Sequence, residues 1–197
     1  LSVGLIVLFA AGASYVLARR SGWWSKGLFY VFLIGIVVPG QLGLIPLYKT
    51  MVSSGTVGTI WPVILLHTGS CLAFSVFLIT TFLRDVPLDY EEAAMIDGAS
   101  PLRIFFRIVM PLLRPVLGTA CILNGIATWN SFFVPLLYLA GTGLETVPVR
   151  LYGFVGLHSS QWEVIFAGLI ITILPILAAF FFLQRSVMTG FAGGVKG

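Results

Sequence analysis

Long stretches without a single charge dominate the chain. Five of them follow one another at residues 1–18, 28–48, 50–83, 116–140 and 164–183. A helix needs about 20 apolar residues to cross the hydrocarbon core of a bilayer. In lipid the backbone must satisfy its own hydrogen bonds, so stretches this long are helices, whereas barrel strands are about 10 residues long. The pattern therefore predicts an all-α fold, a polytopic membrane helical bundle with five spans.

The composition agrees with a membrane protein. Hydrophobic residues make up 58% of the chain and charged residues 9%, and the mean hydropathy is +1.05. A soluble domain carries about 25% charged residues. Both cysteines, Cys71 and Cys121, fall inside predicted spans and lack any metal-ligand spacing, which favours packing over metal binding. The sequence also contains no phosphate-binding glycine loop, so we expect no cofactor, no metal and no ATP hydrolysis by this chain.

The positive charges predict an orientation. Lys and Arg near the ends of spans favour the cytoplasmic side. If residue 1 lies outside, nine of the 11 cations fall inside: Arg19, Arg20, Lys26, Arg84, Arg103, Arg107, Arg114, Arg185 and Lys196. Only Lys49 and Arg150 then fall outside. The net charge of +4 is thus accounted for by membrane boundaries and anionic lipid, and nucleic-acid binding is not predicted.

The first apolar stretch begins without a Met or a flanking charge. A secretory signal would show a basic segment before the apolar part and a small-residue cleavage site after it. We interpret residues 1–18 as a truncated span, and we expect the natural protein to carry at least one more helix upstream.

The loop at 84–115 is the longest polar connection and has the densest charge. Asp89 and Glu92 have the spacing of a capping box, which predicts a short helix beginning near Tyr90. Asp97 and Gly98 form a turn signal, because glycine tolerates positive φ. The sequence therefore predicts a sharp bend after this first helix.

A second short helix is predicted from Pro101 to about residue 110, with Ser100 as its N-cap and Pro101 at the first helical position. Its apolar positions, at three- and four-residue spacing, are Leu102, Phe105, Phe106 and Val109. Arg103 and Arg107 share another face. An ordinary amphipathic connector at a membrane surface would look similar, so this pattern alone leaves that alternative open.

A gapped motif runs through both short helices: Glu92-Ala93-Ala94, then Gly98, then Ile108 and Pro111. It resembles the signature of the membrane permease subunits of ABC importers, with Met110 in place of the usual leucine. Further pieces, at 45–48, 129–132, 135–136 and 193–197, are similar to the carbohydrate branch of that family, of the maltose-permease (MalG) type. The resemblance covers essentially the whole chain, but it lacks the first of the family's usual six helices.

The resemblance implies a transport subunit that is not itself an enzyme. Residues 1–197 would form one transmembrane domain, partial at its N-terminus, with 84–115 as a cytoplasmic coupling loop. The implied partners are a second permease subunit, two cytoplasmic ATP-binding subunits, an extracytoplasmic solute-binding protein, membrane lipid and a sugar or oligosaccharide. The implied location is the inner membrane of a bacterial or archaeal cell.

The coupling residues implied by the motif are Glu92, Ala93, Ala94, Asp97, Gly98, Ile108 and Pro111. Glu92 would cap the first helix and face a basic residue of the ATPase. The two alanines would allow close packing, and Gly98 would form the bend. A short rigid helix of this kind can transmit a rigid-body movement of the ATPases into the bundle.

The translocation pathway is expected to involve polar groups within spans, and our candidates are Asn124, Trp129 and Asn130. The resemblance favours Trp129 and Asn130, since an aromatic ring and an amide suit a sugar. Such groups also hold helices together, which is the alternative for each of them. On a regular helix the two asparagines cannot both face one narrow pore.

Three other functions remain open from the sequence. The same coupling motif serves importers of other solute classes. An ion-coupled secondary transporter would need ionisable residues within its spans, and apart from His67 the predicted spans contain none. A membrane scaffold would leave the spaced motif unexplained.

Overall fold

The computed structural model describes the backbone of residues 1–155 and 161–192, and the side chains of these residues except 179 and 182–192. Within these ranges the chain is helical and contains no strand. The helices are α1 (Ser2–Arg19), α2 (Trp23–Val37), α3 (Leu44–Ser53), α4 (Trp61–Arg84), α5 (Asp89–Ile96), α6 (Pro101–Ile104), α7 (Met110–Leu112), α8 (Arg114–Trp129), α9 (Phe133–Leu139), α10 (Val147–Tyr152) and α11 (Trp162–Ala192). A 3₁₀ turn, Gly40–Gly43, precedes α3, and a π-helical segment, Phe105–Val109, joins α6 to α7. The all-α fold class is confirmed.

Helices α1 and α4 pack against each other over most of their length and form the centre of the bundle. Helices α2 and α8 flank this pair, and α11 packs on α8. The largest group of buried apolar side chains comes from α1, α2, α4, α8 and the loop between α4 and α8. It includes Ala10, Leu17, Val76, Ile79, Leu83, Ile104, Val109 and Leu113. Three of these residues, Ile104, Val109 and Leu113, belong to the polar loop. The loop is therefore anchored in the core of the bundle.

The five predicted spans correspond to helices, but three of them are interrupted. Two helices, Ser2–Arg19 and Trp61–Arg84, are by themselves long and apolar enough to cross a membrane. Two bent pairs satisfy the same criterion when each is taken together, Trp23–Val37 with Gly40–Ser53 (89°) and Pro101–Leu112 with Arg114–Trp129 (72°). Trp162–Ala178 forms a shorter apolar stretch within α11.

The interruptions have local causes. The stretch predicted at 28–48 breaks before Gly40, because Pro39 has no N–H to continue the helical ladder. The stretch predicted at 50–83 is helical again only from Trp61, after a turn in which Gly55 and Gly58 adopt positive φ. The stretch predicted at 116–140 breaks after Trp129 and resumes at Phe133. Apolarity predicted the membrane segments here, and it did not reveal their breaks.

Candidate functional site

The candidate site is the polar loop at 84–115, whose first helix is α5. Its first turn carries the acids Asp89, Glu91 and Glu92, whose negative charge suits the N-terminal end of a helix dipole. The predicted capping box is wrong. The N-cap residue is Leu88, and it makes no side-chain capping bond. The Leu88 carbonyl accepts the N–H groups of Glu91 (2.8 Å) and Glu92 (3.0 Å), so the helix starts one residue earlier than predicted and Asp89 lies inside its first turn.

Two faces of α5 differ in their surroundings. Glu91 is only 2% exposed, and Ala94 packs against the core of the bundle. Glu92 and Ala93 are exposed, as are Met95 (56%) and Ile96 (86%). Of the two motif alanines, Ala94 thus packs against the rest of the bundle, whereas Ala93 lies on the exposed face, where a partner could bind.

The buried carboxylate of Glu91 joins α5 to α1. Arg19 Nε donates to Glu91 Oε1 at 2.7 Å, and the Tyr15 hydroxyl donates to Glu91 Oε2 at 3.0 Å. Arg19 Nη1 also donates to the carbonyls of Leu83 (3.0 Å) and Val86 (3.1 Å), at the end of α4. Charge-assisted bonds of this kind are about twice as strong as neutral ones. We name the group Tyr15, Arg19 and Glu91 the anchor.

The anchor was not among the sequence-predicted site residues. Glu91 stands beside the motif glutamate Glu92, and Arg19 was counted only as a cation at a membrane boundary. A signal was present in the helical spacing, because Glu91 and Ala94 share one face of α5. The partner on that face is more than 70 positions away in sequence, so only the tertiary structure identifies it.

The turn after α5 confirms the predicted bend at Gly98. Gly98 N–H donates to the Met95 carbonyl at 3.0 Å, and Ala99 N–H donates to the Ala94 carbonyl at 2.9 Å. These two bonds define a Schellman motif, which needs a left-handed residue, and Gly98 has φ +78°. A Cβ at Gly98 would have no neighbour within 4 Å in this chain. The backbone conformation therefore requires the glycine here, and space beside it remains open.

The second half of the loop contains the remaining motif residues. Ser100 occupies the predicted N-cap position and Pro101 the first helical position, although Ser100 makes no side-chain capping bond. The predicted apolar stripe divides: Phe105 and Val109 pack on the core, while Leu102 and Phe106 are exposed. Ile108, Pro111 and Met110 are half-buried.

The helix widens into a π turn just before Pro111. Met110 N–H donates to the carbonyl of Phe105, five residues earlier. Such turns recur at functional sites in helices. The Phe105 ring also lies 5.2 Å from that of Tyr15, centroid to centroid, so Tyr15 contacts both halves of the coupling loop.

The three predicted pathway residues lie in and just after α8, and they have different surroundings. Asn124 is 3% exposed, and its amide donates to Ser75 Oγ on α4 (2.8 Å) and to the Ala120 carbonyl (2.7 Å). Trp129 Nε1 donates to the Thr172 carbonyl on α11 at 3.2 Å. Asn130 is exposed and ends α8. In this chain, Asn124 and Trp129 connect helices.

An apolar groove of about 280 Å³ lies between α8 and α11. Trp129 forms part of its wall together with Cys121, Gly125 and Pro175. The Thr172 carbonyl, which accepts the bond from Trp129, lies three residues before Pro175. The proline interrupts the backbone hydrogen bonds of α11 in this turn. Because α8 ends at Trp129, the spacing of one regular helix no longer prevents Asn124 and Asn130 from facing the same side. Pathway contact by any of the three residues stays a prediction.

Two other features of the sequence analysis can be located. Nε2 of His67, the ionisable residue within a predicted span, is buried and has no hydrogen-bond partner among the described residues. The residues 193–197, which contributed to the resemblance, lie outside the described part of the chain. No group of three or more His, Cys, Asp or Glu residues in the described part could hold a metal ion.

Comparisons with known proteins identify relatives along nearly the whole chain. A family profile described as "Binding-protein-dependent transport system inner membrane component" matches residues 6–189. The chain is 33% identical over 195 residues to the melibiose/raffinose/stachyose import permease MelC of Bacillus subtilis, with 98% of this chain and 71% of that protein covered. It is 31% identical over 202 residues to AmyC of Thermoanaerobacterium thermosulfurigenes, a probable permease for starch degradation products, with 99% of this chain and 71% of that protein covered.

A solved structure supports the fold. A bacterial ABC transporter involved in import of the acidic polysaccharide alginate matches with a TM-score of 0.75 at 23% identity. The match covers 93% of this chain and 69% of the transporter chain. Because the identity is low, this likeness supports the helical arrangement and carries no statement about substrate.

Proposed function

This chain belongs to the family of binding-protein-dependent transport system inner membrane components, and from that premise we propose that it forms half of the pathway of an ATP-driven importer for sugars or oligosaccharides. It is a multi-pass membrane protein and a permease. The ATP would be hydrolysed by separate cytoplasmic subunits. The sugar substrate is supported by what relatives such as MelC and AmyC are named for, at 33% and 31% identity.

The observation that carries the coupling proposal is the division of α5 into two faces. Glu91 joins one face to α1, while the opposite face presents Glu92, Ala93 and Ile96 to solvent. A helix that is firmly held on one side and open on the other suits a partner that pushes on it. In this proposal the exposed face docks on the ATPase.

The movement would then reach the bundle by two routes. One is covalent, because short turns connect α5 to α4 on one side and to α6, α7 and α8 on the other. The second is the anchor, through which Arg19 and Tyr15 of α1 follow Glu91. Since α1 and α4 form the centre of the bundle, both routes lead to the same pair of helices. Rigid-body rocking is a known form of such transitions.

The test is ATP-dependent uptake by vesicles that contain the full-length permease and its co-purifying partners. Radiolabelled raffinose and maltotriose serve as probes. Gly98→Trp is compared with the unmodified complex, and assembly is checked by co-purification. Loss of uptake in an assembled complex supports the coupling role, whereas unchanged uptake would overturn it. Absence of uptake of both probes by the unmodified complex, with a solute that is not a sugar taken up, would overturn the sugar proposal alone.

A further inference from the structure

A second cavity, of about 440 Å³, lies where the ends of α1, α2 and α4 meet. Its wall includes Arg20 from the turn between α1 and α2, Lys26 from the first turns of α2, and Arg84 from the end of α4. No acidic residue is among the described residues that line it. The cavity therefore has a strongly positive wall at one end of the bundle.

The three cations are not neutralised within the described part of the chain. The ion pairs found there involve Arg19 with Glu91 and Arg150 with Glu145. The Arg84 guanidinium instead lies 4.4 Å from the centre of the Phe29 ring, which keeps it at the cavity wall while leaving its donors free for an anion. The cavity also adjoins the N-terminal end of α2, whose dipole favours negative charge.

The surface of α2 beyond this cavity is apolar and exposed. Lys26, Tyr30, Ile34 and Val37 follow one another at helical spacing on one side of α2. Tyr30 lines the cavity and is 62% exposed, and Ile34 and Val37 are 61% and 81% exposed. The exposed rings of Trp23 and Trp24 precede this stripe, as aromatic residues do at a membrane interface. Cation, aromatic and aliphatic groups are thus arranged in the order of a lipid's headgroup, interface and chain.

We propose that this cavity binds a phospholipid with an anionic headgroup, whose phosphate lies among Arg20, Lys26 and Arg84 and whose acyl chain follows Ile34 and Val37. The predicted orientation places these cations on the cytoplasmic side, where anionic lipids attract basic residues and where basic pockets between helices bind lipid headgroups. A soluble phosphate would use the cations but would gain nothing from the apolar stripe.

The experiment is native mass spectrometry of the full-length permease in its complex, titrated with phosphatidylglycerol or phosphatidylcholine of the same acyl chains. The unmodified complex should retain phosphatidylglycerol in preference to phosphatidylcholine. The triple variant R20Q/K26Q/R84Q should bind phosphatidylglycerol more weakly, by roughly fivefold for each cation removed. The matched control R103Q/R107Q/R114Q removes three exposed cations from the coupling loop and should retain phosphatidylglycerol as the unmodified complex does.

Several outcomes would overturn the lipid site. Equal retention of the two lipids, or equal losses in the triple variant and its control, would show that the cavity has no special affinity. Displacement of phosphatidylglycerol by millimolar inorganic phosphate would indicate a site for a soluble anion. If the triple variant fails to assemble, Lys26→Gln alone is decisive, because Lys26 is exposed: about a fivefold loss supports the site. Unchanged lipid binding in Lys26→Gln would overturn it.

Discussion

Arg19 Nε lies 2.7 Å from Glu91 Oε1, and the two side chains are only 12% and 3% exposed. This contact joins the end of α1 to α5 across 72 positions of sequence. The same guanidinium donates to the carbonyl of Leu83 near the end of α4 and to that of Val86 just after it, so one side chain connects α1, α4 and α5. A buried ion pair of this kind is costly to break, because removing one partner leaves an unpaired buried charge.

Glu91→Ala should therefore lower the free energy of unfolding by about 3–5 kcal/mol. The physical reason is that Arg19 would remain buried without its carboxylate. Equilibrium unfolding of the purified protein in detergent measures the loss. Glu92→Ala is the matched control, and since Glu92 is exposed its effect should stay within about 0.5 kcal/mol. Equal effects of the two substitutions would contradict the anchor.

Gly98→Ala should destabilise the loop by about 1–2 kcal/mol, although no atom of this chain stands in the way of a Cβ. The cost arises from the left-handed backbone of the Schellman turn, where asparagine is tolerated better than other residues. Gly98→Asn should accordingly lose less than Gly98→Ala in the same unfolding measurement.

The control for this prediction is Gly69→Ala, at a position inside α4 where a Cβ would also meet nothing within 4 Å. Because the backbone there is helical, the substitution should be neutral or stabilising by up to about 1 kcal/mol. Destabilisation by both alanine variants to the same degree would mean that Gly98 is needed for some reason other than its conformation.

Asn124 and Ser75 should show an energetic coupling in a double-mutant cycle with alanine. Hydrogen bonds between membrane helices average about 0.6 kcal/mol in such cycles, with values up to about 1.7. Thr128 bonds only within its own helix in the described contacts, so a Thr128/Ser75 cycle should show no coupling. Absence of coupling between Asn124 and Ser75, together with a raised KM for sugar uptake in Asn124→Ala, would instead assign Asn124 to the pathway.

The pKa of Glu145 should lie below the value of 4.5 expected for a free glutamate. Its own backbone N–H is the main cause, that of Gly143 follows, and the Arg150 guanidinium and the Gly141 N–H add to the effect against some desolvation. Because the folded-state pKa is lowered, the contribution of this carboxylate to stability is present above the ordinary pKa. It is lost as the pH falls through the lower, folded-state pKa.

Titration of the Glu145 carboxyl carbon by nuclear magnetic resonance measures this pKa directly. Arg150→Gln removes a guanidinium whose Nη2 lies 3.0 Å from Glu145 Oε2, and it should raise the pKa. The pKa should nevertheless stay below 4.5, since the backbone N–H groups remain. A pKa at or above that value in the unmodified protein would contradict the described geometry.

Local sequence patterns predicted the short helices of the loop well. Helix α5 begins at Asp89, close to the predicted start, and the bend falls at Gly98 as expected. The predicted N-cap at Asp89 was wrong, because capping depends on the backbone conformation of one residue. Leu88 occupies the N-cap position instead, and its carbonyl accepts the first N–H groups of the helix. Breaks in apolar segments were also missed: hydropathy does not register a lost N–H at Pro39 or the end of α8 at Trp129.

The sequence by itself determined the membrane bundle, the family resemblance and the position of the coupling motif, because these depend on apolar length and on spacing along one chain. Only the tertiary structure decided that Glu91, and not Glu92, is bound to α1 through Arg19. It likewise decided that the Asn124 amide faces Ser75 on another helix. The physical reason is the same in both cases. Burial and pairing of a polar group depend on which distant residues pack beside it, and helical periodicity specifies a face without specifying its neighbour.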